Sequence, residues 1–190
     1  MEESKKEQIQ LLLRQSPLYD LRGTLGKALE LLPSEIQSRI GCDFAEHLVR
    51  GISLPSSKEK LLADAIFSLR AYSEGNETIQ QVEDHRVQLH EAMNNPQGAD
   101  VVYVCAIETV LQAIYSICQR QLEETGVLHP EKYKVSVCDV ATQASYAAGQ
   151  RAVAGHGNVS EVGSAQKARK DASDAETSWQ ITRLLEDIGG

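Results

Sequence analysis

Five side chains on one short stretch, Glu83-Asp84-His85 and His90-Glu91, are of the types that bind metals or move protons, since imidazoles and carboxylates do both. Their spacing does not complete a site. His85 and His90 stand about 140° apart round a helix, whereas a helical two-histidine clamp uses positions i and i+4. A ferritin-like centre would add Glu-x-x-His repeats on two helices, and the chain has none. A metal-dependent enzyme would therefore have to gather His47, His85 or His90 with Glu46, Glu83 or Asp84 from neighbouring helices, and this is the catalytic alternative the sequence leaves open.

The other candidates are weaker still. His156 lies in Ala154-Gly155-His156-Gly157-Asn158, which lacks the Lys-Ser/Thr ending of a phosphate loop and follows no strand, so its glycines read as the end of a helix. Cys42 precedes Asp43, but no Gly-x-Ser-x-Gly and no strand-turn-helix context supports a nucleophile. Cys42, Cys105, Cys118 and Cys138 form no Cys-x-x-Cys pair, and read as reduced, mostly buried thiols of a cytoplasmic protein. Lys167, Arg169 and Lys170 are the only basic cluster, and Asp171 and Asp174 follow Lys167 and Lys170 at i+4, the pattern of a solvated helix face; Arg183 and Asp187 repeat it. No catalytic, cofactor-binding or metal-binding residue is assigned, and no cofactor is expected.

The elements that must position these groups are helical. From Ala99 to Glu124, Val104, Ile107, Leu111, Ile114 and Cys118 recur at three- and four-residue steps, and Val102, Tyr103, Val110, Tyr115 and Ile117 widen the stripe almost all round. Only Glu108, Gln112, Ser116, Gln119 and Arg120 form a polar edge, and Glu108 and Gln112 within the apolar part argue against a membrane span. This is the expected central helix. Before it the periodicity predicts a short helix near Glu3–Gln15, a leucine stripe from Leu18 to Leu32 begun by Pro17, and a helix opened by a Ser34/Gln37 capping box and ended by Gly51. A further helix follows, opened by Ser56/Glu59 and closed by Gly75-Asn76, and then one capped by Asn76 and stopped at Asn94-Asn95-Pro96. After it, Glu131 to Ala154 carries the small-residue stripe Val137, Ala141, Ala144, Ala148 and Ala152. Ser160 to Asp187 repeats the device with Ala165, Ala168, Ala172 and Ala175 before Trp179, Leu184, Leu185 and Ile188. The reading is all-α: one irregular bundle of about seven or eight helices, residues 1–190 as one domain, around a buried central helix.

Composition agrees. The chain is 42% hydrophobic but 5% aromatic, with one Trp and two Phe, so its core is aliphatic. Its 27 acidic and 19 basic side chains leave a net charge of -8, which opposes binding to nucleic acid or an anionic membrane and favours a basic protein partner, with self-association as another outcome. The charged N-terminus followed by Leu11-Leu12-Leu13 is not the pattern of a secretory signal.

The closing run Glu176-Thr177-Ser178-Trp179-Gln180-Ile181-Thr182-Arg183-Leu184-Leu185-Glu186-Asp187 resembles the end of a helical bacterial family catalogued as domain of unknown function four hundred and sixteen. Its members also end in a Trp followed by Arg-Leu-Leu-acidic, and Cys42-Asp43-Phe44-Ala45-Glu46-His47 resembles the stretch that ends their early helix. The resemblance implies a helical bundle and supplies no activity. In size, acidity and alanine-rich helices the chain is also similar to helical immunity proteins of toxin systems, which implies a toxin-binding role. The expected function is a non-enzymatic, cytoplasmic, protein-binding module, with Trp179 packed in the core along the alanine stripe.

Overall fold

In a computed structural model, which describes residues 3–15, 21–94, 101–124, 126, 135–154 and 162–189, every regular element is an α-helix. In chain order these are α1 (Glu3–Gln15), α2 (Leu21–Glu30), α3 (Ser34–Arg50), α4 (Ser56–Ser73), α5 (Ile79–Asn94), α6 (Val101–Glu124), α7 (Val137–Val153) and α8 (Val162–Gly189). One cluster of buried side chains, from Ile9 on α1 to Ile188 on α8, takes in residues of all eight. The protein is an all-α bundle.

The apolar girdle of α6 makes it central. Ala106, Ile107, Val110, Ala113, Ile114 and Cys118 are fully enclosed, and α6 packs against α3, α4, α5 and α7. Glu108, Gln112, Ser116 and Gln119 lie on its less buried edge, as the sequence indicates. Val101–Gln119 is long and apolar enough to cross a bilayer by length and composition, but 61% of it is buried against other helices. The centre is nevertheless shared. On α7, Ala141, Ala144, Ala147 and Ala148 are buried, and their small side chains bring its backbone close to α6 and α8, its most extensive partners. The Cβ that Gly149 lacks would lie 3.1 Å from the Arg169 carbonyl oxygen on α8.

Several helix ends differ from the expected ones. Pro33 and Pro55, not Ser34 and Ser56, sit at the N-caps of α3 and α4, with no side-chain cap bond; Gln37 Nε2 instead donates to the Leu32 carbonyl at 2.8 Å. The prolines fix an extended backbone just before each helix, so the serines become its first helical residues. Asn76 closes α4 rather than capping α5: Gly75 has φ +78°, and the Asn76 N–H reaches back to the Ala71 carbonyl. Thr78 caps α5 instead, its N–H and hydroxyl both donating to Gln81 Oε1. α7 begins at Val137 rather than Glu131, because Ser136 and Asp139 form the capping box, with Ser136 N–H donating to Asp139 Oδ2 at 2.7 Å. His156, Pro17 and Asn95-Pro96 lie outside the described residues.

Candidate functional site

The candidate residues of α5 do not form a chemical centre. Glu83 is taken by Arg86 at 2.6 Å, Asp84 accepts from Gln80, and His90 Nε2 meets the Tyr115 hydroxyl of α6 at 2.7 Å. Burial and the adjacent Arg86 lower the pKa of His90, so it serves as a neutral hydrogen-bonding partner. His85 Nδ1 is buried without a partner. Among the described residues no three His, Cys, Asp or Glu side chains converge as metal ligands, and His47 lies on another helix with other neighbours. The cysteines are free, and burial pushes Cys42 and Cys118 up to about 12, which leaves both thiols protonated and unreactive.

The charged groups that do converge belong to α3, α4, α7 and α8. Ile40, Phe44 and Leu48 turn the inner face of α3 into the core, which leaves Asp43, Glu46, His47 and Arg50 along its outer ridge. Asp43 takes Arg70 of α4 on one oxygen, at 2.8 Å, and Arg183 of α8 on the other, at 2.9 Å. Arg70 also binds Glu46 at 2.7 Å, Arg183 approaches Asp187 at 3.4 Å, and Asp187 binds Arg39 at 2.8 Å. This alternating lattice ties α8 and α4 to the two sides of α3. The expected Arg183–Asp187 and Lys170–Asp174 pairs are present, whereas Lys167 and Asp171 form none among the described residues.

Beside the lattice lies a buried acid that no local sequence pattern singles out. Glu176, with its side chain 5% exposed, has Oε2 3.5 Å from His47 Nε2 and accepts a weak hydrogen bond from Gln180 Nε2 at 3.4 Å. Burial pushes its pKa up to about 7, against the opposing pull of Gln180 and Arg151, while burial, Arg151 and Arg50 lower that of His47. The distance alone suggests an ion pair. With desolvation acting against charge on both partners, and two guanidiniums acting against an imidazolium, the pair is better described as a carboxyl facing a neutral imidazole. Arg151 is itself held by the Gly51 carbonyl at 2.6 Å, across a position where a Cβ would collide with it.

Glu176 belongs to a polar seam on α8. The buried residues there are Ser173, Glu176, Thr177 and Gln180, continued by Leu184 and Ile188, whereas Ala175 is exposed and Ala165, Ala168 and Ala172 are only partly buried. The alanine stripe is therefore not the face that α8 buries. Ser145 and Thr177 hydroxyls meet at 3.0 Å, and Gln180 donates to the Ala141 carbonyl of α7 at 3.1 Å. This change of phase also moves Trp179. It is half-buried, packed against the edge of the core rather than enclosed in it, with its ring stacked on His47 at 3.5 Å between centroids and edge-on to Phe44 at 6.0 Å. His47 and Trp179 wall a cleft of about 240 Å³ between α3 and α8, whose remaining lining is Asp43, Glu46, Arg50 and Arg183.

A larger groove, about 540 Å³, runs along the other side of the α3 ridge, between α3 and α4. Val49 and Ile66 form its floor, and Phe67 stands on its wall with 71% of its surface exposed. Sequence reading passed over Phe67 because it sits inside Ala65-Ile66-Phe67-Ser68-Leu69, where Ala65, Ile66 and Leu69 face inward. Glu59 and Asp64 line the same groove, and neither enters an ion pair among the described residues. The guanidiniums that line it, Arg50 and Arg70, are both engaged by Glu46. No protein-family model, curated protein or solved structure matches the chain.

Proposed function

We propose that this protein is a non-enzymatic module that binds a basic protein through the α3–α4 face. The observation that carries the reading is Phe67: a chain with only two Phe exposes one of them, in a groove whose unpaired charges are carboxylates. Aromatic side chains concentrate at binding hot spots, and complementary charge speeds encounter and fixes register. The net charge of -8 acts in the same direction. The general likeness to helical immunity proteins gives this reading one specific form, in which the partner is a basic toxin held by the groove. The α3–α8 cleft supports the module differently, since its charges are largely paired with one another and brace α8 against α3.

Photo-crosslinking tests the reading. With p-benzoylphenylalanine at position 67 in host cells, a discrete adduct to a basic protein is expected, absent when the probe replaces the exposed Tyr146 of α7 and reduced by Glu59→Lys with Asp64→Lys. No adduct, or the same adducts from both positions, would overturn it.

A further inference from the structure

The form of the groove narrows what it can hold. α3 and α4 are joined by only five residues, 51–55, and the groove is lined by Glu46, Val49 and Arg50 at the end of α3 and by a longer stretch of α4. On α4 the lining extends from Glu59 to Arg70, a rise of about 16 Å at 1.5 Å per residue, which is about three helical turns. A stretch of α4 of that length, flanked by the last turn of α3, matches the face of a third helix, which would lay apolar side chains at i, i+3 and i+4 against Ala63, Ile66 and Phe67. An extended strand finds no edge to pair with here, because both walls are helices whose backbone groups are already bonded internally.

Charge identifies the chemistry of that helix. Arg70 is shared by Asp43 and Glu46, and Arg50 is held by Glu46, so the basic groups of the furrow are neutralised in place. Glu59 and Asp64 are exposed and enter no ion pair among the described residues, Lys60 four residues before Asp64 included. An incoming side chain therefore meets unspent negative charge beside an exposed aromatic ring. An acidic helix would meet the same carboxylates with repulsion. A second copy of this chain, itself at -8, is disfavoured on the same ground.

We infer that the α3–α4 furrow docks a cationic amphipathic helix of the partner, with one apolar residue seated against Phe67 and Lys or Arg residues reaching Glu59 and Asp64. This rests on the protein-binding reading above and adds the secondary structure and charge pattern of the docking element.

Three synthetic 14-residue peptides test it by fluorescence anisotropy on the full chain: an amphipathic Leu/Lys helix, its Leu/Glu counterpart, and a Leu/Lys peptide of the same length and charge in which two central Leu are replaced by Pro. Saturable 1:1 binding of the Leu/Lys helix alone is expected. Phe67→Ala should weaken it about tenfold, and Glu59→Lys/Asp64→Lys should cause a similar loss that shrinks as salt is raised. Because Phe67 is exposed, Phe67→Ala should fold as the parent does, and its circular dichroism and melting temperature verify this. Equal binding of the proline peptide would overturn the helical claim, and equal binding of the Leu/Glu peptide would overturn the cationic one. Binding unaffected by either variant would place the peptide on the acidic surface at large and overturn the site. If no peptide binds while position 67 still crosslinks to a basic protein in cells, the helix inference fails and the protein-binding reading stands. If neither occurs, both fail.

Discussion

Replacing Glu176 by Gln keeps the shape of the side chain and removes its proton equilibrium, so it isolates the cost of a buried acid. An unfolded chain releases this proton near 4.5, and the folded protein near 7. Between those values the unfolded state binds fewer protons than the folded one, so the stability associated with the neutral carboxyl is whole below about 4.5. It is lost as pH rises to about 7, and is flat above that. At about 1.4 kcal/mol for each tenfold in acidity, the loss is about 3 kcal/mol. His47 acts with the opposite sign. Its lowered pKa contributes stability that is present above its ordinary 6.5 and lost as pH falls, and with its side chain 40% exposed that contribution is the smaller one. Glu176→Gln should therefore melt with the parent at pH 4.5 and above it at pH 8, by roughly 6–12 °C for a chain of this size. Thermal melts followed by circular dichroism at half-unit pH steps give the difference curve, in which groups common to both proteins cancel. A variant that melts below the parent at pH 8 would refute the reasoning, because it would mean that Glu176 is a carboxylate stabilised by an imidazolium at His47 and by Arg151. A gap that does not widen between pH 4.5 and 7 would refute it equally.

Three further substitutions follow from the packing. Trp179→Ala removes the stack on His47 and the edge contact with Phe44 from a half-buried site, and should cost about 2 kcal/mol, less than the ~3–5 of a fully buried aromatic. Its urea midpoint by circular dichroism checks this, and an unchanged midpoint would contradict it. Gly149→Ala places a Cβ 2.9 Å from Arg169 Cγ and 3.1 Å from the Arg169 carbonyl oxygen, and should destabilise by about 1–3 kcal/mol as α7 and α8 are forced apart. Gly163→Ala, on α8 with open space around it, should instead gain up to about 1 kcal/mol, so the two melting temperatures should move in opposite directions.

What the sequence showed and what it hid have separate physical causes. The girdle of α6 was legible because a helix apolar nearly all round has only one place to go, the interior. The buried alanines of α7 were legible for the same reason of period. On α8 two stripes of equal spacing compete: Ala165, Ala168, Ala172 and Ala175 on one phase, and Ser173, Thr177, Gln180, Leu184 and Ile188 on another. Apolarity favours the first. The structure buries the second, because Leu184 and Ile188 fix the phase at the end of the helix, and the hydrogen bonds that Thr177 and Gln180 Nε2 make with α7 offset part of the cost of the polar groups carried inward, Gln180 Oε1 being left without a partner among the described residues. Trp179 and Glu176 went with that phase, one outward to His47 and one inward. His47 adjoins Glu46 in sequence, yet its partners come from α8, more than a hundred residues away, and no local pattern records such a pairing. Phe67 could have been found, since Leu62, Ala65, Ile66 and Leu69 set an inward arc that it does not share.

Docking of a basic partner on the α3–α4 face comes down to one affinity. The protein crosslinked through position 67 should be purified and titrated calorimetrically against the parent chain and against Phe67→Ala. The variant should bind at least about tenfold more weakly, with its melting temperature unchanged because Phe67 is 71% exposed. Equal affinity for the two proteins would contradict it.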